Sequence, residues 1–94
     1  MNNVLVVNDD QIYVQSCYLD NDKIKANIGI NIDRYSKYIS YYFRVSVSSQ
    51  LKLEYEYDER DFYGDHKLAQ EYIKLIEDNL AGLYELLIKL SAKD

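Results

Sequence analysis

Residues 53–66 read Leu53-Glu54-Tyr55-Glu56-Tyr57-Asp58-Glu59-Arg60-Asp61-Phe62-Tyr63-Gly64-Asp65-His66. Two periodicities meet here. Up to Tyr57, large apolar and charged side chains alternate, the period-two pattern of a strand with one face on a core. Beyond His66, apolar residues recur every three or four positions, the pattern of an amphipathic helix. Residues 58–65 follow neither pattern, and Gly64 gives them the freedom of a loop. The stretch holds six acids and one base, a net charge of −5 that equals the formal charge of the whole chain. Its reading decides both the fold class and the place where charge is concentrated.

Working back from it, the alternation extends through Ile39, Tyr41, Phe43, Val45 and Val47, and resumes after Ser48-Ser49-Gln50 with Leu51, Leu53, Tyr55 and Tyr57. One strand of that length is unusual, since strands typically run about 3–10 residues. Two strands joined by a turn at 48–50 are expected, with a long bent strand as the alternative. The cleanest strand lies further upstream. In residues 23–33, Ile24, Ala26, Ile28, Ile30 and Ile32 share one face, while Lys23, Lys25, Asn27, Gly29, Asn31 and Asp33 share the other. Asp20-Asn21-Asp22 precedes it, and Asn8-Asp9-Asp10 follows the apolar run Val4–Val7. Asn and Asp hydrogen-bond their own backbone and tolerate left-handed geometry, so both triplets read as turns. Between them, Ile12 and Val14 fall on one face and Tyr13, Gln15 and Cys17 on the other. A further turn is expected at 33–37.

Forward of the stretch, Asp65 is placed to cap a helix of about 66–89. At 100° per residue its apolar side chains, from Leu68 to Leu90, cover an arc of about 180°, against the roughly 100° a core-facing helix needs. Either the sheet curls around the helix or one edge meets a second chain, so a homodimer through residues 66–90 is a candidate. Asn79 interrupts the arc and Gly82 follows, and both are poor helix residues. They mark a kink or a break.

The sum is an α+β fold in one domain, residues 1–94. A four- or five-stranded antiparallel meander has strands at about 4–7, 11–19, 23–32, 38–47 and 51–57, then an acidic loop at 58–65. One C-terminal helix packs on its apolar face. A chain of this size buries roughly 60–65% of its unfolded surface, enough for one modest core.

Composition limits the chemistry. One cysteine and one histidine exclude a disulfide framework and a Cys/His zinc set. Asp20-x-Asp22 lacks the glycine and glutamate of a calcium loop. Asp58, Glu59 and Asp61 could hold a divalent ion only loosely. Cys17 and His66 have no local catalytic signature, and glycines at 29, 64 and 82 build no phosphate loop. No metal, no cofactor and no enzymatic activity are expected. No segment has 18 consecutive apolar residues, and the N-terminal run Val4–Val7 lacks a basic flank. The expectation is a cytoplasmic protein with no membrane partner. Tyr, Ile, Asn and Lys make up 35 of 94 residues. They share A/T-rich codons, so tyrosine abundance fits a low-GC genome or its phage as readily as selection for binding.

Two surfaces remain. Residues 34–44, R-Y-S-K-Y-I-S-Y-Y-F-R, mix three bases with five aromatics, as single-stranded nucleic-acid platforms do. Three cations are few against physiological salt, and the acidic balance disfavours direct nucleic-acid binding. The acidic stretch is the stronger candidate, with Glu54, Glu56, Asp58, Glu59, Arg60, Asp61, Phe62 and Tyr63 as partner-binding residues. Glu54 and Glu56 point outward about 6.8 Å apart, comparable with successive phosphates. Phe62 and Tyr63 lack an obvious element to bury them and read as exposed anchors. A small acidic module that occupies the basic, nucleic-acid-binding surface of a protein partner fits these residues. Its general character resembles phage or mobile-element inhibitors of the anti-CRISPR or anti-restriction type. An immunity protein against a nuclease toxin would need the same surface. A self-associating assembly subunit is the alternative of a different class.

Overall fold

The computed structural model describes residues 2–35 and 38–92. Five strands, β1 (Val4–Val7), β2 (Asp10–Asp20), β3 (Lys23–Asn31), β4 (Tyr41–Ser48) and β5 (Leu53–Glu56), form one antiparallel sheet in the order β1-β2-β3-β4-β5. Two helices follow, α1 (His66–Asp78) and α2 (Leu80–Ser91). The first two hairpins are closed by two-residue turns, with Val7 opposite Asp10 and Asp20 opposite Lys23. Asn8 and Asn21 open these turns at φ 57° and 58°. Left-handed geometry at a central turn residue matches the twist of the flanking strands, and Asn adopts it at little cost.

The sheet departs from the expected pattern in three places. First, the β2–β3 register shifts between Val14 and Ser16, so Gln15 is an extra residue, a bulge. The shift reverses the parity of β2. Cys17, expected on the face of Tyr13, instead pairs with Ala26 and packs against the core, its Sγ 3.9 Å from the Leu87 carbonyl oxygen. Second, the fourth strand begins at Tyr41 rather than 38, and the Asp33–Tyr35 segment turns through a bond from the Tyr35 N–H to the Ile32 carbonyl, 3.0 Å. The expected turn at 33–37 lies partly outside the described residues. Third, Leu51 is not a strand residue. The chain turns after Ser48, with the Leu51 N–H on the Ser48 carbonyl at 2.9 Å and the Lys52 N–H on Ser48 Oγ at 3.2 Å. Leu51 takes φ 61° and is 41% exposed. This is the three-residue hairpin loop whose last position is left-handed.

The single helix expected over 66–89 is two helices. Asp65 caps α1, its Oδ1 accepting from the Leu68 N–H at 3.0 Å. At the other end Asn79 leaves helical geometry (φ −121°, ψ 24°), and its Nδ2 donates to the Leu75 carbonyl at 2.9 Å. Its own carbonyl accepts the first bond of α2, from the Leu83 N–H. The amide thus satisfies a carbonyl that the helix end leaves open. The break also accounts for the broad apolar arc. In α1 the buried residues are Ala69, Tyr72, Ile73 and Ile76, which span about 100° at 100° per residue. In α2 they are Leu83 and Leu87. An arc too wide for one straight helix is divided between two.

Buried side chains of the sheet and both helices form one hydrophobic cluster, with Ile12, Ile28, Ile30, Val47, Tyr72, Ile76, Leu83 and Leu87 fully enclosed. Tyr72 is enclosed to its hydroxyl, which has no hydrogen-bond partner among the described residues, and burial pushes its pKa up to about 12. The opposite face of the sheet carries Tyr13, Tyr18, Lys23, Lys25, Tyr42, Arg44, Glu54 and Glu56. On this face Gly29 lies between Tyr13 and Tyr42 in the register. A Cβ at Gly29 would stand 2.7 Å from Tyr13 Cε1, so the glycine makes room for the ring. The two tyrosines meet edge to face, hydroxyls 3.3 Å apart.

The Leu51 turn gives a sign-based test. Leu51→Gly removes a left-handed strain of roughly 1–2 kcal/mol, partly offset by a freer unfolded chain of about 0.4–1 kcal/mol. Denaturant melts should therefore show a small net stabilisation. A loss of ~2 kcal/mol or more, the cost of truncating a core leucine, would place Leu51 in the sheet instead.

Candidate functional site

The acidic stretch divides into three parts. Glu54 and Glu56 stand on β5, an edge strand, and point to the outer face. There each meets a base. Glu54 Oε1 is 2.8 Å from Lys23 Nζ, reaching from β3 diagonally across β4, and Glu56 Oε2 is 3.4 Å from Arg44, its direct cross-strand neighbour. The Lys23 hydrogen bond lowers the Glu54 pKa and raises that of Lys23. These pairs are exposed and screened by solvent, so they add little to stability. Their larger effect is on the field. The row expected to carry negative charge is locally neutral.

The second part is the connection 58–65, expected as a plain loop. It contains a one-turn 3-10 helix, Glu59–Phe62, capped by Asp58. Asp58 Oδ1 accepts from the Arg60 N–H at 3.0 Å, and both carboxylate oxygens accept from the Arg60 guanidinium, at 3.0 Å (Oδ1) and 2.8 Å (Oδ2). The guanidinium contacts, then the backbone N–H, hold the Asp58 carboxyl at about 2, below its usual 3.8. Glu59 and Asp61 make no ion pair among the described residues. Tyr63 closes the turn at φ 53°, its N–H on the Arg60 carbonyl, and its side chain is 94% exposed.

Phe62 is the third part and corrects the sequence reading. It was expected at the surface because no adjoining element would cover it. It is 3% exposed. Its ring stacks on Tyr41 at 4.4 Å between centroids and meets Tyr57 at 5.5 Å, Tyr72 at 5.6 Å and Phe43 at 6.0 Å. In this fold it is a core residue and offers no surface anchor. The cover comes from α1 and β4, distant in sequence, which is why local pattern gave no sign of it.

The structure therefore brings together Glu56, Asp58 and Asp61, adds Tyr42, Arg44 and Tyr57, leaves Tyr63 exposed outside that group, and withdraws Phe62. A hollow of about 440 Å³ lies between Tyr42, Arg44, Glu56, Tyr57, Asp58 and Asp61 and joins the turn to the outer face of the sheet. Tyr42 and Arg44 belong to the segment weighed as a nucleic-acid platform. Of its other members, Tyr41 is half-buried against Phe62 and Tyr72, and Lys37 lies outside the described residues. The neutralising bases were missed because they require the strand register. The turn after Ser48, which sets the β4–β5 register, was the signal that could place Arg44 opposite Glu56.

Among the described residues no three His, Cys, Asp or Glu side chains converge as a metal-ligand set, and no helix is long and apolar enough to cross a membrane. No known family pattern, curated protein or solved structure matches the chain.

The Asp58–Arg60 pair is testable by titration. A folded pKa below the unfolded one stabilises the native state at neutral pH, and that contribution is lost as pH falls from about 4 towards 2. Carboxyl NMR should show Asp58 titrating near 2, and Arg60→Ala should move it back towards the ordinary range, short of it because the backbone bond remains. An unchanged Asp58 value in Arg60→Ala would dissociate the two residues.

Proposed function

We propose that the chain is a small acidic protein-binding module whose turn, residues 58–63, engages a basic surface on a protein partner. The observation that carries this reading is the hollow between Tyr42, Arg44, Glu56, Tyr57, Asp58 and Asp61, open to the exposed acids of the turn. Glu56 and Asp58 are already paired with Arg44 and Arg60, so Asp61 is the carboxylate that, with the two tyrosine rings, suits an incoming lysine or arginine side chain, which gains from negative charge and from an aromatic face. Glu59 and Asp61 supply attraction at longer range, and Tyr63 supplies an aromatic contact beside it. Arg60 is committed to Asp58 and acts by shaping the turn. Phage or mobile-element inhibition of a nuclease-based host defence is the setting we infer, with the module covering a surface that otherwise binds nucleic acid. Glu54 and Glu56, paired with bases, form the rim of that surface.

The test expresses the chain in hosts carrying restriction or CRISPR nucleases and scores plaquing of a susceptible phage. The wild-type chain should restore plaquing against one of these defences. Glu59→Lys/Asp61→Lys/Tyr63→Ala changes only exposed positions. It should weaken binding to the isolated nuclease by roughly 30-fold or more, the loss of one hot-spot residue at ~2 kcal/mol. No protection against any nuclease would refute the setting, and undiminished binding by the variant would refute the surface.

A further inference from the structure

We propose that the outer face of the sheet is an interface between two copies of this chain. The helices share the core with the opposite side, and this face is left bare. It is not an ordinary polar surface. Val6, Tyr18 and Tyr42 expose large apolar side chains on it, and Tyr13 and Tyr42 form an aromatic pair over Gly29. Its charges are ordered. Bases stand on β3 and β4 (Lys23, Lys25, Arg44), and acids flank them on β5 (Glu54, Glu56) and at the end of β2 (Asp20). The three bases and three acids cancel.

That pattern selects the occupant. A nucleic acid would meet Glu54 and Glu56 beside every base it approached, and a basic protein would meet Lys23, Lys25 and Arg44. A surface with the same alternation in the opposite order is needed, and a second copy supplies it. Register places Lys25, Ser46 and Glu54 in one row across β3, β4 and β5, and Asn27, Arg44 and Glu56 in the next. A two-fold axis along β4 sets Lys25 of each copy over Glu54 of the other and leaves Ser46 facing Ser46. The same axis brings the Arg44 residues of the two copies together, and the pair lies between the two Glu56 side chains, which offset its charge. The six charged side chains are all at least two-fifths exposed and free to exchange an intramolecular partner for an intermolecular one. Such isologous self-complementarity is what a two-fold dimer requires.

Size sets the expected strength. Five strands at ~4.8 Å spacing and about seven residues of length give a flat footprint of roughly 550 Å² per copy. A standard interface buries about 800 Å² on each partner. The dimer is therefore of micromolar affinity and sensitive to salt. It leaves the 58–63 turn of each copy at the rim but buries Tyr42, Arg44 and Glu56, which also line the hollow proposed above for a basic side chain, so self-association and occupation of that hollow compete.

Sedimentation velocity on the full chain tests this with two charge variants, Lys25→Glu/Arg44→Glu and Glu54→Lys/Glu56→Lys. At hundred-micromolar concentration and low salt, the wild type should be a dimer that dissociates in molar salt. Each variant alone should be monomeric, because its face then repels itself. An equimolar mixture of the two should be dimeric again. A wild-type monomer under these conditions overturns the proposal. So does a dimer that both variants retain, which would place the contact on the β1 edge or the helices. Low-salt oligonucleotide binding by a monomeric wild type, lost in Lys25→Glu/Arg44→Glu, would overturn it in favour of a nucleic-acid platform. A variant-free check uses carbodiimide on a mixture of 14N and 15N wild-type chains. A mixed-isotope Lys25–Glu54 cross-link is expected, and only same-isotope links would refute the interface even if a variant misfolds.

Discussion

Phe62 is held by four rings at once, and the arrangement of the charged connection follows from it. Tyr41 and Phe43 come from β4, Tyr57 from just beyond β5, and Tyr72 from α1. Full burial of a phenylalanine is worth about 1.5–3 kcal/mol in transfer terms, and each favourable ring pair adds roughly 0.5–1.5 kcal/mol. That is a sizeable share of the 5–15 kcal/mol by which a domain is usually stable. The ring can reach this place only if the chain between β5 and α1 turns tightly. The 3-10 helix with its Asp58 cap supplies the turn. Once Phe62 points inward, Tyr63 in left-handed geometry must point out, and Glu59 and Asp61 are carried on the outer side. A core contact thereby fixes which side chains a partner could meet.

Charge on this molecule is organised by the sheet register as much as by the sequence. The stretch 53–66 holds the full net charge of the chain, yet its two strand acids are matched by Lys23 and Arg44 from neighbouring strands. What remains unbalanced gathers at the turn. The two candidate surfaces consequently differ in kind. The turn presents excess negative charge beside tyrosine rings, and the outer sheet face presents balanced charge in ordered rows.

Much of the fold was legible because its signals are local. Period-two alternation marked β3, and Asn-Asp pairs marked the first two turns. Asp65 marked the start of α1, and Asn79 with Gly82 marked the point of interruption. The illegible parts depend on contacts between distant residues or on backbone states the residue types do not advertise. Gln15 and Ser16 are both polar, so either could occupy the bulge, and only pairing with β3 shows which does. Leu51 is apolar and in phase with its neighbours, yet it occupies a left-handed turn position usually filled by glycine or asparagine. Phe62 sits in a charged connection, and apart from Tyr57 the rings that bury it stand 21, 19 and 10 residues away, at Tyr41, Phe43 and Tyr72. The candidate site suffered the same limit. Its acids were visible, but the bases that neutralise Glu54 and Glu56 become neighbours only in the paired sheet.

Chemical denaturation of Phe62→Ala beside Tyr63→Ala measures the dependence on Phe62 most directly. Loss of the buried ring should cost about 3–5 kcal/mol, while removal of its exposed neighbour should change stability by no more than about 0.5 kcal/mol. Equal, small effects for the two adjacent residues would contradict the burial of Phe62 and, with it, the placement of the acidic turn.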